Sequence, residues 1–440
     1  MRKKLGLVFL SVFISLALST SVFAAGFALY ETGARGTSLG GAMVARADDP
    51  SALFFNPAGI TQLTGIQTML GVQMIAPRLD VKTTGQYTVV GPNAPPLPPY
   101  YPAITGTQQT TTSLEDNEFW PPHAYLTYPV NDRWWLGLAV MSRFGLGVEF
   151  PTSWPGRFNS YNSRIVTSEV NPNIAYKVSD NFSVSAGVSM MYLDVKLQKK
   201  INPALYGLGA GEIDQKLTGD SYGYGYNFGL HYKPTDWISF GASYRSTVTQ
   251  HVEGDLKFRG QSGPYQAGAF PNVGGDATLV LPDQFFFGVA VKPMKKLSVE
   301  VGAILTNWSS YDQLKLELDS PILGGRANVI SQPKNWKNVW RYHAGLEYNV
   351  TDWMDLRLSY IYDESPVPDE TIGYELPDSD RNIFGIGLGF HKNNWWLDLS
   401  YNHLLFSDRE IAARPIDGVL ASEVQDGMAY IAGISFGYKW

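Results

Sequence analysis

From about residue 64 onward the chain alternates apolar and polar positions with a period of two. Tyr222, Tyr224, Tyr226, Phe228, Leu230 and Tyr232 alternate with Ser221, Gly223, Gly225, Asn227, Gly229 and His231. Such a repeat puts the two sets on opposite faces of a strand. In Thr64–Asp80, Ile66, Leu70, Val72 and Met74 likewise face away from Gln67, Gly71 and Gln73. The last stretch ends the same way, with Met428, Tyr430, Ala432, Ile434, Phe436, Tyr438 and Trp440 on one face.

Aromatic placement indicates what the apolar face meets. In Phe182, Val184, Ala186, Val188, Met190 and Tyr192, aliphatic side chains fill the middle and rings mark the ends. Two interfacial girdles around a lipid band require that order. Tyr176–Phe182, Tyr232–Trp237 and Tyr348–Trp353 are variants of one short turn, and Tyr128–Trp134, Val291–Leu297 and Phe390–Trp395 are looser versions. Six short turns join seven up-down pairs. The pattern therefore predicts a 14-stranded antiparallel transmembrane β-barrel with both termini periplasmic. Lys82–Glu118, Ile201–Thr218, Phe258–Val273 and Asp319–Lys334 read as the longer loops of the outer rim. The first is proline-rich and unsuited to a strand. Strict alternation turns Asp283 toward lipid, unless Pro282 marks a bulge that resets the register.

What precedes residue 64 is different. Residues 1–24 read as a secretory leader, with Arg2, Lys3 and Lys4 ahead of an apolar run and a small-residue site at Val22-Phe23-Ala24. Residues 25–63 are rich in glycine and alanine and do not alternate. Asp48 and Asp49 before Pro50, and Asn56 before Pro57, mark the starts of short helices. This stretch reads either as an ordered N-terminal arm or, more sharply, as a compact plug, or hatch, that a barrel spanning residues 64–440 closes around. With no cysteine there is no disulfide framework. The leader's three basic residues take the formal charge from −6 to −9 on cleavage, and no Lys/Arg run is present, which argues against a nucleic-acid partner.

The run Ala25-Gly26-Phe27, Gly36, Gly40, Ala42, Asp49 and Ser51, ending in Asn56-Pro57-Ala58, resembles the FadL family of outer-membrane transporters of hydrophobic compounds. Trp154-Pro155-Gly156-Arg157 and Asn171-Pro172-Asn173 are local echoes of it. The resemblance implies a 14-stranded barrel in a Gram-negative outer membrane, plugged by a hatch that contains Asn56, Pro57 and Ala58. It also implies a kink in the third strand, placed here at Gly145 and Gly147, through which ligand leaves sideways into the bilayer. The C-terminal Trp440 resembles the aromatic signal read by barrel assembly machinery, with Trp in place of the commoner Phe. Membrane lipid and lipopolysaccharide are then the surroundings, and a monomer is expected.

Catalysis has little support. A lipid-hydrolysing barrel would need His and Ser two apart on one strand face. None of His123, His231, His251, His343, His391 and His403 has that neighbour. There is no His-Glu-x-x-His or phosphate-loop motif, so neither a metal nor a cofactor is expected. For a fatty acid, the candidates to meet its carboxylate are Arg143, Arg157, Lys196 and Lys257. Candidates for an apolar groove or pocket are Phe144, Leu146, Trp154, Phe158, Leu205 and Tyr206. Glu300, Arg341, Glu347, Asp355 and Arg357 fall on the lumen side and are expected to anchor the plug, with Arg35, Arg46 and Asp48 as partners. The reading favoured is passive uptake of long-chain fatty acids or similar hydrophobic compounds. Uptake of aromatic or alkyl hydrocarbons and a non-transporting adhesin barrel remain the alternatives.

Overall fold

The computed structural model describes residues 26–90, 101–115 and 118–440. The expected leader lies outside these residues, as does most of the proline cluster of the first outer loop. The described chain forms one closed antiparallel barrel of fourteen strands. They are β1 (Gln67–Val90), β2 (Pro122–Pro129), β3 (Trp134–Met141 and Gly145–Glu149), β4 (Asn162–Ser179), β5 (Phe182–Ile201), β6 (Ile213–Thr235) and β7 (Ile238–Arg245 and Val248–Arg259). There follow β8 (Val273–Leu281 and Gln284–Met294), β9 (Leu297–Thr306 and Gln313–Ile322), β10 (Ala327–Pro333 and Val339–Thr351), β11 (Met354–Asp363), β12 (Arg381–Lys392), β13 (Trp395–Phe406 and Arg409–Ile411) and β14 (Ala421–Lys439). Pairing of Gln67 with Lys439 and Leu70 with Phe436 closes β1 on β14. Closure pairs the first and last strands, so neither presents an open edge to the hydrocarbon, where an unpaired backbone group is costly.

The alternation read from the sequence sets the faces. Tyr222, Tyr224, Tyr226, Phe228, Leu230 and Tyr232 of β6 all point outward and are exposed, whereas Asn227 and His231 are buried in the lumen. Among the described residues no helix is long and apolar enough to cross a membrane, so the strands do the spanning. At Pro282-Asp283 strand β8 breaks, and Leu281 and Gln284, three residues apart, are both fully buried. The break shifts the parity and leaves Asp283 half-buried, accepting a hydrogen bond from Asn307 Nδ2 at 3.2 Å.

Part of the first outer connection forms strand despite the prolines nearby. Strand β1 runs on past the lipid band to Val90, and Tyr101–Ser113 pairs back along it from Val90–Tyr101 to Asp80–Ser113. After Pro102 this returning arm is uncharged, threonine-rich and free of proline, a composition that suits a strand.

Residues 26–63 lie inside the barrel. They form two short helices, α1 (Ala34–Ser38) and α2 (Ala52–Phe55), and a 3-10 turn, Pro57–Gln62. From Gly26 to Ile60 every residue is buried except Arg35 and Asp48. Glycines on the inner wall make room for this plug. A Cβ on Gly345 would stand 2.5 Å from the Leu39 carbonyl oxygen, and one on Gly241 would collide with the Val44 carbonyl. The small residues of the inner face are thus matched to backbone pressed against them.

Candidate ligand cavity and plug

Charges on the wall meet the plug at defined points. Glu300 Oε1 accepts from the backbone N–H groups of Val44 (2.7 Å) and Ala45 (3.2 Å), and its Oε2 accepts from that of Arg46 (2.7 Å). Three donors on one carboxylate satisfy a turn that has no ladder partner of its own. Glu347 lies among Arg35 (2.8 Å), Arg357 (2.7 Å) and Arg46 (3.4 Å). Arg357 also pairs with Asp398 at 2.6 Å and Asp355 at 3.5 Å, and Arg35 with Asp48 at 2.8 Å. Arg341 bridges Asp363 (2.8 Å) and Glu31 (3.6 Å) and lies over the Tyr30 ring. Asn56 caps the turn it begins: its Oδ1 accepts from Ala58 N, while its Nδ2 donates to the carbonyls of Val44 and of Leu230 in β6.

Above the plug, toward the outer rim, the lumen widens into a cavity of roughly 1410 Å³, its open mouth included. Its lining is chiefly apolar, with Leu146, Val252, Leu279, Leu316 and Trp336 from the wall and Phe27 from the plug. Phe27 packs edge-on against Trp308 and Trp336, with ring centroids 4.6 and 5.7 Å away. Lys199 from β5 and Lys334 from the turn inside β10 are the lysines of this lining. Glu375 joins them from the connection between β11 and β12, which folds inward. It lies 3.5 Å from Lys334 Nζ and accepts from Gln332 Nε2 at 3.0 Å. Burial works against this carboxylate, but Lys334, Gln332 and Lys199 outweigh it and hold its pKa below the ordinary glutamate value. Three residues on, Asp378 accepts from Gly26 N at 3.2 Å and Ser365 Oγ at 2.9 Å. Burial pushes its pKa up to about 6, although Arg381 pulls the other way.

The carboxylate candidates are dispersed. Arg157 is on a rim loop with Nε 3.1 Å from both oxygens of Glu212. Lys257 faces outward beside Asp255 at 3.0 Å. Arg143 is buried in the lumen, 3.3 Å from Glu169. Lys196 alternates with the cavity-lining Val195, Leu197 and Lys199, so it stands on the outer face opposite Arg164. Strand parity already separates Lys196 from Lys199, and that signal was present in the sequence. Of the apolar candidates, Leu146 lines the cavity and Phe144 packs on Phe27. Trp154 stacks on Phe150, and Phe158 on Tyr87. Leu205 and Tyr206 belong to a short rim turn, where Tyr206 meets Phe270.

Strand β3 is interrupted at Ser142–Phe144. Thr167 Oγ1 accepts from Phe144 N (3.1 Å) and donates to Phe144 O (2.6 Å). On the edge turned away from β4 the backbone pairs with the plug: Leu29 N donates to Arg143 O, and Gly145 N donates to Phe27 O, both at 2.8 Å. Among the described residues the β2–β3 ladder ends at Ala124–Val140, and beyond it Glu115 N donates to Glu149 O. Gly145 and Gly147 sit on the segment that flanks this gap, opposite Val166 and Arg164 of β4.

Residues 15–440 match the model of a family described as outer membrane protein transport protein (OMPP1/FadL/TodX). The chain belongs to this family. It is a family of transporters rather than enzymes, and the chain is an outer-membrane β-barrel of the Gram-negative type. It is 26% identical to a long-chain fatty acid transport protein of Escherichia coli O6:H1, with 96% of each chain covered. In fold it resembles a Pseudomonas aeruginosa FadL homologue (TM-score 0.78, 23% identity, 94% of this chain and 100% of that one). It also resembles the Ralstonia pickettii toluene transporter TbuX (TM-score 0.65, 19% identity, 93% of this chain and 99% of that one). These relatives support transport of a hydrophobic substrate across the outer membrane.

Proposed function

We propose that this member takes up long-chain fatty acids passively, holding the chain in the apolar cavity with its carboxylate at Lys199 and Lys334. The observation that carries the reading is the pair of lysines in a lining otherwise made mostly of apolar side chains, with Glu375 the one acid of that lining among the described residues. Burying cations in such a place is costly unless an anion joins them. A neutral hydrocarbon supplies none, which ranks hydrocarbon uptake second despite the toluene transporter among the structural relatives. A surface adhesin has no use for an apolar cavity in its lumen.

Exit follows from the interrupted wall. The gap between β2 and β3 lies where the plug's Phe27–Leu29 replaces a barrel partner, so withdrawal of that arm opens the cavity sideways toward lipid. A water-insoluble solute then never crosses the aqueous periplasm. The plug is held by Glu300 and by the Glu347 cluster, which keeps the lower lumen closed while the upper arm moves.

The test is labelled-oleate uptake by cells carrying Lys199→Gln with Lys334→Gln. Loss of one charge-assisted contact costs about 1.5–3 kcal/mol, so uptake at limiting oleate falls roughly tenfold or more. Toluene uptake stays at the wild-type level. Equal loss of both, or of neither, contradicts the carboxylate reading.

A further inference from the structure

Glu375 has no counterpart in the needs of a simple fatty-acid site, since a carboxylate inside the cavity repels the ligand's own. We propose that it is a specificity-determining residue: by neutralising Lys334 it leaves a single uncompensated cation, Lys199, so that the cavity accepts an amphiphile whose head carries one negative charge and rejects a doubly charged one. This rests on the fatty-acid reading and names the head-group charge that the site selects.

The geometry gives Glu375 this role and not that of a wall support. It comes from the connection between β11 and β12, not from a barrel strand, and Thr371, Gly373 and Leu376 of the same connection line the cavity with it. Its contacts are with lining groups of the cavity, Lys334 at 3.5 Å and Gln332 at 3.0 Å. Lys199 feels Glu375 as an opposite charge and Lys334 as a like one, and Glu375 feels both lysines. Asp417 is the other acid within electrostatic reach of Lys199, and it is already engaged by Arg414 at 3.2 Å. The enclosure therefore holds two cations against one lining carboxylate. One monoanion completes the balance. A dianion overshoots it and puts a second negative charge beside Glu375, where low dielectric makes repulsion expensive.

The probes are dodecanoate, a monoanion, and dodecyl phosphate, which above the second phosphate pKa, at about pH 8.5, is a dianion. Each displaces a fluorescent fatty acid from the full-length protein in lipid nanodiscs. The wild type takes dodecanoate at a concentration at least about tenfold lower than dodecyl phosphate, the scale of one unfavourable buried charge contact. In Glu375→Gln the two concentrations converge to within about twofold, whereas Glu375→Asp, which keeps the charge, retains the wild-type ratio. An unchanged ratio in Glu375→Gln overturns the inference, and so does convergence in Glu375→Asp as well, which marks a loss of shape and not of charge. Lys199→Gln, run alongside, separates the two levels. If it leaves dodecanoate binding intact, the fatty-acid reading itself fails. If it weakens that binding while Glu375→Gln leaves the ratio unmoved, only the charge-selection inference fails.

Discussion

Arg35 of the plug and Glu347 of β10 form a two-point ion pair, Nε to Oε2 at 2.9 Å and Nη2 to Oε1 at 2.8 Å. The same carboxylate serves Arg357 of the wall and lies beside Arg46 of the plug. One wall residue thus gathers three cations, and removing it leaves them buried together. Breaking a buried pair in this way costs about 3–5 kcal/mol. In Glu347→Gln we expect a barrel that still folds and keeps its heat-modifiable mobility on gels, but a plug that opens to protease and admits small hydrophilic dyes. Substituting Arg35→Ala together with Glu347→Ala should cost less than the sum of the two single changes, because the residues share one network.

Gly241 tests the fit between plug and wall without touching any charge. A methyl there meets the Val44 carbonyl, a backbone atom that cannot swing aside. Gly241→Ala is expected to destabilise plug seating by about 1–3 kcal/mol, the usual scale of overpacking. The same substitution at Gly268, where nothing lies within 4 Å of the added carbon, is the matched control and should be neutral. Hydrogen exchange of residues 42–46 reads the difference.

Asp378 gives the protein a defined pH response. Its folded pKa is raised to about 6, so its charged form is the one penalised by burial. A raised carboxyl contributes stability that is complete below the unfolded value, near 3.9, and lost as pH rises through the folded value. Relative to Asp378→Asn, which carries no titrating group, the wild type should therefore gain thermal stability as pH is lowered from about 7 to 5. The opposite trend in paired melting curves would overturn the assignment of Asp378 as a buried, disfavoured carboxylate.

The barrel was legible because its two faces have different chemistry. Alternating Tyr and Gly in β6, and girdle-spaced rings in β5, fix the period and the lipid side without reference to contacts. Six short turns then fix the strand number. The plug was legible from its composition and from Asn56-Pro57, whose side-chain cap forms as that spacing suggests. Of two charged parts of the cavity, one was legible and one was not. Lys199 was accessible to strand parity, which puts it on the face of Val195 and Leu197 and puts Lys196 on the other. Glu375 lies in a connection whose inward course depends on tertiary packing, with Tyr374 hydrogen-bonded to Ser422 and Leu420 across the lumen. No local pattern announces that. The outer arm Tyr101–Ser113 is obscured in the sequence for a different reason: nearby prolines mask a threonine-rich run that pairs with β1.

A crystal structure of the protein soaked with a long-chain fatty acid brominated near its methyl end shows most directly where the ligand sits. Anomalous scattering locates the tail, and ordinary density locates the head. Bromine is expected among Leu217, Val252 and Leu316 inside the lumen, with the carboxylate at charge-assisted hydrogen-bond distance, about 2.7–2.9 Å, from Lys199 Nζ. Bromine density confined to the outer surface of the barrel, or a head group lodged away from Lys199 and Lys334, would contradict that placement.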